Sequence, residues 1–267
     1  MKRLLFTTLA VALTALTTTG QDWAKAKLAK SSRHQEWVNV KHGDREVNCF
    51  VTYPEVKDKA TAVIVIHEIF GLSDWARCVA DEFAEAGYIA IAPDLLSGSA
   101  TGGGGTADLI KSGADVGQVI RKLPADQITG DLNAVAAYVA KLPSCNGKIV
   151  VGGFCWGGSQ TFRFATNNKD VKAALVFYGS GPENEEDIAR IKAPVYGFYG
   201  GNDNRVNSTI PASTELMKKA GKIYEPKTYD GAGHGFMRAG EAPDASEANK
   251  KAREEAWARI KELLKKI

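Results

Sequence analysis

Histidine is scarce in this sequence, with four among 267 residues. A histidine is the most common general base in enzymes that work near neutral pH, so few positions can supply one. They are His34, His42, His67 and His234. Each can therefore be weighed by its place in the predicted fold.

Paired cysteine motifs are absent. The four cysteines are Cys49, Cys78, Cys145 and Cys155, and none forms a C-x-x-C pair. This spacing supports neither a thioredoxin-type redox motif nor a zinc ribbon. Cys49 lies in a strand pattern and Cys78 in a helical pattern, where burial as a small hydrophobe is expected. The spacing alone leaves the disulfide question open.

An excess of charge of one sign is also missing. The chain has 34 basic and 31 acidic residues and a formal net charge of +3. A chain with so small an excess of basic residues is not predicted to bind nucleic acid. The 44% hydrophobic content, without a long low-complexity tract, instead predicts one well-packed domain.

No apolar run reaches the length of a comfortable membrane span. The longest candidate, residues 4–16, follows Lys2 and Arg3 and precedes the small-residue stretch 17–20. This pattern predicts a secretory signal over residues 1–20 and a mature single domain over residues 21–267. We expect a periplasmic or secreted monomer without stable membrane insertion. An N-terminal anchor helix that stays attached is the alternative.

Strand and helix patterns alternate along the rest of the chain. Residues 36–54 predict an antiparallel hairpin that turns at Gly43 and Asp44. Continuous apolar runs separated by helical lengths follow, which is typical of a doubly wound, mostly parallel α/β sheet. Two helices are expected before residue 143, one ending near Leu123 and one beginning at Pro124. A last helix is expected after Ser246 as N-cap.

A glycine-rich stretch, "SGSATGGGGTADL", interrupts this alternation at residues 97–109. No Lys-Ser or Lys-Thr pair directly follows the last of the four glycines, as it does in a phosphate-binding loop, so such a loop is not favoured. We interpret the stretch as a surface loop.

Cys155 lies in "GFCWG", which directly follows the apolar run "KIVVG" and precedes a helical pattern. This order of strand, sharp turn and helix is that of a nucleophile elbow, with glycines at 153 and 157 permitting the tight turn. The N-terminus of the helix would favour a thiolate. The alternative is a structural cysteine.

The remaining members of a catalytic triad follow by order along the chain. His234 lies in a glycine-flanked loop between the last strand and the last helix, whereas His34 and His42 belong to the hairpin region. Asp203 follows the intervening strand and is the expected acid. Asp94 and Asp230 are read as turn or capping residues.

Five motifs together resemble the dienelactone hydrolase family of the α/β-hydrolase superfamily. They are "HEIFGL" at 67–72, "APDLL" at 92–96, "GGFCWGG" at 152–158, "YGGNDNRV" at 199–206 and "GAGHGF" at 231–236. The resemblance implies an α/β-hydrolase fold and a cysteine enzyme that opens a lactone or carboxylic ester, with a small molecule as its partner. It also implies that the reaction needs neither a metal nor an organic cofactor.

The resemblance also implies roles for further residues. Glu68 would contact the resting thiol, and the backbone N–H groups of Ile69 and Trp156 would form the oxyanion hole. Arg238, four residues beyond His234, would bind a substrate carboxylate, with Arg121 as candidate for a second arginine. His67 is expected to be structural.

Three other functions stay open at this stage. A broader carboxylesterase would use the same residues. A non-catalytic binding protein would keep the pocket without the reaction. A thiol redox protein would need a partner for Cys155, and Cys145 is predicted at the opposite end of the strand.

Overall fold

The computed structural model of the protein describes residues 22–267. The predicted signal segment, residues 1–20, lies outside the described residues. In the part of the chain described here, no helix combines the length and apolar character needed to cross a membrane.

Strands and helices alternate through the described residues. In chain order they are α1 Asp22–Leu28, β1 Gln35–His42, β2 Arg45–Thr52, β3 Ala60–Ile66, α2 Asp74–Glu85, β4 Ile89–Pro93, α3 Thr106–Lys111, α4 Val116–Arg121, α5 Ala125–Ala140, β5 Cys145–Phe154, α6 Trp156–Asn167, β6 Ala173–Phe177, α7 Glu185–Arg190, β7 Val195–Gly200, α8 Asn204–Asn207, α9 Ile210–Lys219, β8 Tyr224–Tyr229, α10 Phe236–Ala239 and α11 Glu247–Leu264.

The eight strands form one sheet in the order β1-β2-β4-β3-β5-β6-β7-β8. The pairs β1–β2 and β2–β4 are antiparallel, and every other pair is parallel. Gly43 and Asp44 connect β1 to β2, as predicted. The doubly wound, mostly parallel sheet with an N-terminal antiparallel hairpin is therefore confirmed.

The central strands are apolar on both sides because helices cover both faces of the sheet. In β3, Ile64 and Ile66 belong to a core shared with α5 and α6. The alternate residues Val63 and Val65 belong to a second core shared with α2 and α11. All seven residues of β3 are buried. The continuous apolar run is thus explained by two cores rather than one.

The chain between β4 and β5 differs from the prediction. Three helices lie there instead of two, because the segment before Leu123 is divided into α3 and α4. Pro124 is the N-cap of α5, one position before the helix begins. Ser246 caps α11 as expected, its side chain accepting a hydrogen bond from Asn249 N–H.

Two further elements are not predictable from apolar runs. Strand β8 reads "YEPKTY" and is mostly exposed, because it lies at the edge of the sheet and pairs only with β7. Helix α1 is short and precedes the hairpin; Cys78 of α2 donates to its Ala24 carbonyl at 3.1 Å. Neither element carries an apolar run long enough to be recognised on its own.

Candidate active site

The carboxyl ends of the parallel strands meet at one edge of the sheet, where ligands bind in open α/β folds. Glu68 follows β3, Cys155 follows β5, Tyr178 follows β6, Asp203 follows β7, and His234 follows β8. The topology thus brings the predicted triad and Glu68 to the same edge.

Cys155 has a backbone conformation that non-glycine residues rarely adopt. Its φ is 57° and its ψ is −116°, at the junction of β5 and α6. Such a conformation costs about 1–3 kcal/mol and persists only where the surroundings impose it. The Cys155 N–H donates to Phe177 O at 3.0 Å, which fixes the turn against β6. The elbow predicted from "GFCWG" is therefore present.

Glycines beside Cys155 allow this turn to press against its neighbours. A Cβ at Gly153 would lie 2.3 Å from the Gly157 carbonyl oxygen. A Cβ at Gly157 would lie 2.4 Å from the carbonyl oxygens of both Ile66 and His67. Contacts this short are not tolerated, so only glycine fits. The first turn of α6 consequently packs on the end of β3, next to Glu68.

His234 and Asp203 form a hydrogen-bonded pair in which the acid is buried and the imidazole is partly exposed. His234 Nδ1 lies 2.5 Å from Asp203 Oδ2. The loops that carry them are joined by a hydrogen bond from Asn202 N to Ala232 O of 2.9 Å and by close packing of Gly200 on Gly233. Asp203 is also the N-cap of α8. The acid is therefore held in place from both sides.

His234 also interacts with the side chain of Cys155. This contact raises the pKa of His234 above its usual 6.5, burial opposes the rise, and the hydrogen bond to Asp203 adds to it. The imidazole remains 33% exposed. Since Nδ1 is occupied by Asp203, Nε2 is the nitrogen that faces the thiol.

Glu68 is buried and paired with Arg238. Its residue exposure is 3%, and its Oε2 lies 2.8 Å from Arg238 Nε. Burial raises the pKa of Glu68, while the Arg238 guanidinium and His234 work against the rise. The structure thus brings Arg238 to the predicted site, where the Nε of its guanidinium is bonded to Glu68.

His67 has a structural position, in line with its predicted role. Its Nδ1 donates to Glu68 O at 2.8 Å, and its Nε2 accepts from Leu95 N–H at 3.3 Å. Complete burial lowers its pKa, which keeps the ring neutral. The ring stacks on Trp156 with centroids 5.6 Å apart. His67 therefore ties the end of β3 to the start of α6.

The two predicted oxyanion donors lie on these joined segments. Ile69 follows Glu68 in the turn after β3, and among residues 22–267 its N–H donates to no protein acceptor. Trp156 is the first residue of α6, where N–H groups have no partner within the helix. The close packing of Gly157 on His67 O holds the two segments together.

Tyr178 was not selected by the sequence analysis. It follows β6 with a φ of 40°, is buried, and has its ring centroid 5.1 Å from that of His234. Its hydroxyl has no hydrogen-bond partner within the described residues. Burial raises its pKa well above the usual value. Its position at a strand end was the only available signal.

Arg121 lies at the end of α4 and is exposed. Its Nη1 donates to Gly117 O at 3.0 Å. Gly117 in turn lies close to Ile69, because a Cβ added at Gly117 would be 3.6 Å from Ile69 Cγ1. The residue is thus on the outer surface near the turn that carries Ile69. Its substrate-binding role stays a prediction.

The other cysteines are separate from this site. Cys49, Cys78 and Cys145 are free and buried. Cys145 begins β5 and Cys155 follows its last residue. At about 3.3 Å per residue the two are separated by roughly 30 Å along the strand. In the described part of the chain, no cluster of His, Cys, Asp or Glu side chains could hold a metal ion.

Comparison with known proteins gives consistent matches. The sequence model of the dienelactone hydrolase family matches residues 47–267. A Salmonella typhimurium protein provisionally named carboxymethylenebutenolidase is 30% identical over 81% of this chain and 82% of its own length. An Escherichia coli K12 protein with the same provisional name is 31% identical over 76% of each chain.

Solved structures agree on the fold. A crystal structure of a provisionally named dienelactone hydrolase from Klebsiella pneumoniae covers 89% of this chain and 100% of its own, with a TM-score of 0.74 and 23% identity. The architecture is therefore that of an α/β-hydrolase, as expected from the motifs.

The close packing at Gly157 generates a prediction for stability. Gly157→Ala should lower the free energy of unfolding by about 2 kcal/mol or more, because the added methyl group overlaps two carbonyl oxygens. Denaturant unfolding measures this. Gly233→Ala is the control, since a Cβ there meets nothing within 4 Å. Equal stability of the two variants would contradict the packing argument.

The His234–Asp203 pair generates a prediction for titration. In NMR titrations of the histidine ring protons, His234 should have its midpoint above 6.5, and Asp203→Asn should lower it. Because the pKa of His234 is higher in the folded than in the unfolded protein, protonation of His234 stabilises the folded state. This contribution to the free energy of unfolding is fully present below about pH 6.5 and is lost as the pH rises through the folded-state pKa. His234→Gln assigns the signal. An unchanged midpoint in Asp203→Asn would contradict the pairing.

Proposed function

The chain belongs to the dienelactone hydrolase family, and on this premise we propose that it hydrolyses a lactone or carboxylic ester through a thioester on Cys155. The observation that carries the proposal is that Cys155, Asp203 and His234 lie together at the carboxyl edge of the sheet, with His234 Nδ1 2.5 Å from Asp203 Oδ2. A thiol on a sharp turn, a base beside it and an acid that orients the base are the parts of a covalent hydrolase.

The first step is attack on the substrate carbonyl. His234 Nε2 takes the proton of the thiol as Sγ bonds to the carbonyl carbon, and the carbonyl oxygen becomes an oxyanion. The N–H groups of Ile69 and Trp156 donate to that oxygen. The N-terminus of α6 adds a favourable electrostatic field at the same place.

Collapse of this intermediate breaks the bond to the leaving oxygen. The protonated His234 gives its proton to that oxygen, and Cys155 is left as a thioester. In a lactone, the leaving oxygen remains attached to the acyl group as a hydroxyl. Asp203 accepts from His234 Nδ1–H throughout, which keeps Nε2 directed at the reacting atoms.

Water then releases the acid. His234 removes a proton from water, the hydroxide adds to the thioester carbon, and the same two N–H groups bind the second oxyanion. Expulsion of the Cys155 thiolate, which takes the proton back from His234, restores the resting enzyme.

Glu68 and Arg238 give the site a charged wall. Arg238 Nε is held by Glu68, so a substrate carboxylate would be bound by the terminal guanidinium nitrogens. Such a carboxylate would compete with Glu68 for the guanidinium, and the expected contact of Glu68 with the Cys155 thiol stays a prediction. Arg121, on the surface nearby, is a second candidate for the same anion.

Other functions have less support. A broader carboxylesterase would use the same residues and differs only in substrate. A redox role for Cys155 lacks a nearby partner thiol, since Cys145 lies at the other end of β5. Export after removal of residues 1–20, and a monomeric state, stay predictions.

The proposed nucleophile generates the next prediction. Cys155→Ala should lower kcat for 4-nitrophenyl acetate by about 10⁴-fold or more, because attack and thioester formation both need the sulfur. Cys145→Ala is the matched control and should change kcat by less than about twofold. Far-UV circular dichroism should show both variants folded. Turnover by folded Cys155→Ala at the wild-type rate would overturn the proposal.

Arg238 generates a prediction about substrate charge. A charge-assisted contact to a carboxylate is worth about 1.5–3 kcal/mol. Arg238→Ala should therefore lower the ratio of kcat/KM for a carboxylated lactone to that for a neutral aryl ester by roughly ten- to a hundredfold.

Removing Arg238 also leaves Glu68 buried without its partner, which could disturb both reactions. The double variant Glu68→Gln/Arg238→Ala removes this difficulty by making position 68 neutral. The same loss of selectivity is expected in both variants. An unchanged ratio in both would remove Arg238 from the binding site.

A further inference from the structure

A large groove adjoins the site proposed above, and we infer that it binds a neutral aromatic arm of the substrate. The groove has a volume of about 990 Å³ and includes Trp37 of β1, Phe70, Ile110 of α3 and Arg238 in its walls. We call it the aromatic groove. The inference rests on the proposed hydrolase function and specifies the class of substrate.

The aromatic groove is continuous with the charged wall of the site. Arg238 contacts Glu68 through Nε at 2.8 Å and also lines the groove. Its guanidinium lies 5.2 Å from the centre of the Phe70 ring. Phe70 directly follows Ile69, whose N–H is the proposed oxyanion donor. A substrate held at Cys155 can therefore extend past Arg238 into the groove.

Exposed apolar side chains are concentrated in this groove. Among the residues that the structure describes, five large apolar side chains are about half exposed. Three of them, Trp37 at 50%, Phe70 at 48% and Ile110 at 48%, line the groove. The other two, Val56 and Ile223, lie elsewhere. Apolar side chains grouped in a concave surface are typical of a ligand site.

The charges in the groove favour a neutral ligand. Two guanidinium groups line it, and both are paired: Arg238 with Glu68, and Arg77 with Asp74. Four carboxylates also line it, so an anionic arm would meet an excess of negative charge.

Most of these carboxylates are already bonded within the protein. Asp94 accepts from Thr106 N–H and Oγ1–H, each at 2.7 Å, and Asp108 lies 3.7 Å from Lys111 Nζ. Asp74 is bonded to Arg77. Glu46 and Asp94 have no ion pair among the described residues, and Asp94 is already hydrogen-bonded to Thr106, so the groove also lacks a carboxylate cluster for a cationic arm.

Neutral polar groups complete the walls. Asn48 Nδ2 donates to Asn39 Oδ1 at 2.8 Å, which leaves the amide N–H₂ of Asn39 and the amide oxygen of Asn48 available to a ligand. Uncharged donors and acceptors beside exposed rings suit an aromatic group with a polar substituent.

The glycine-rich stretch is one wall of the groove rather than an independent surface loop. Gly103, Gly104 and Gly105 line it, and the hydrogen bonds of Thr106 to Asp94 anchor the stretch. Without side chains, this wall presents flat backbone at which a planar ring can lie. The volume is at the upper end of small-molecule sites, far more than a small lactone alone needs.

The kinetic test compares esters with and without such an arm. The substrates are 4-nitrophenyl acetate, 4-nitrophenyl 6-phenylhexanoate, which carries the arm on the acyl side, and 6-phenylhexyl acetate, which carries it on the alcohol side. Ile110→Ala should lower the kcat/KM ratio of an arm ester to 4-nitrophenyl acetate by roughly three- to tenfold, and Trp37→Ala by roughly tenfold or more.

Ile223→Ala is the matched control. Ile223 is 56% exposed, comparable to Ile110, but lies outside the groove. In Ile223→Ala, the kcat/KM ratio of an arm ester to 4-nitrophenyl acetate should therefore stay within about twofold of the wild-type ratio. Ratios unchanged in both groove variants, with the arm on either side, would overturn the inference while leaving the proposed hydrolase function intact.

A binding test separates the groove from the chemistry. Folded Cys155→Ala should bind intact 4-nitrophenyl 6-phenylhexanoate in calorimetry, and adding Trp37→Ala should weaken that binding by roughly tenfold. This result would support the groove even if the wild type hydrolysed no ester. With Glu68→Gln/Arg238→Ala added to Cys155→Ala, which removes the proposed carboxylate-binding guanidinium, the corresponding ester with a carboxylate in place of the phenyl group should bind more weakly than the phenyl ester.

Equal binding of the carboxylate-ended ester would overturn the neutral class. A dimer in light scattering that Trp37→Ala dissociates, together with no binding of the arm ester, would assign the groove to a second copy of the chain and would also overturn the inference.

Discussion

The left-handed backbone at Cys155 is the constraint on which the arrangement of the site depends. A φ of 57° turns the chain sharply from β5 into α6 and leaves the thiol at the edge of the sheet. The turn is possible because Gly153 and Gly157 have no side chains, so α6 packs directly on the end of β3. That contact brings the turn holding Ile69 beside the first N–H groups of α6. One backbone feature therefore positions both the nucleophile and the proposed oxyanion donors.

Two hydrogen-bonded pairs of different character, each with a buried carboxylate, flank the thiol. In the first, Asp203 holds the imidazole of His234, and the interaction with Cys155 raises the pKa of His234 above its usual value. Glu68 and Arg238 form a pair whose guanidinium stays charged, in which burial raises the pKa of Glu68. The first pair is suited to proton transfer. The second is suited to binding a substrate carboxylate, since Glu68 contacts Arg238 through Nε and leaves the terminal guanidinium nitrogens for the substrate.

The sequence was sufficient for features that are encoded locally. Cys155 and Asp203 each follow a strand that an apolar run identifies, and His234 lies in a glycine-flanked loop before the last helix, so the three could be selected by order along the chain. Contacts between distant residues could not be read in this way. The Glu68–Arg238 pair joins residues 170 positions apart, and nothing near either residue signals the pairing. Strand β8 was missed because an edge strand needs no apolar pattern. The glycine-rich stretch was recognised as a loop, but its place in the groove depends on Asp94, which lies in a different segment.

The central claim is that an acyl group is carried on Cys155, and mass spectrometry of the intact protein tests it most directly. The protein would be mixed with 4-nitrophenyl acetate, quenched in acid within the first turnover, and digested to locate the modification. The account predicts one acetyl group per chain, on the peptide that contains Cys155, removable by hydroxylamine and absent from Cys155→Ala. Steady turnover of the ester with no acyl group on Cys155, or with the acyl group on another residue, would contradict it.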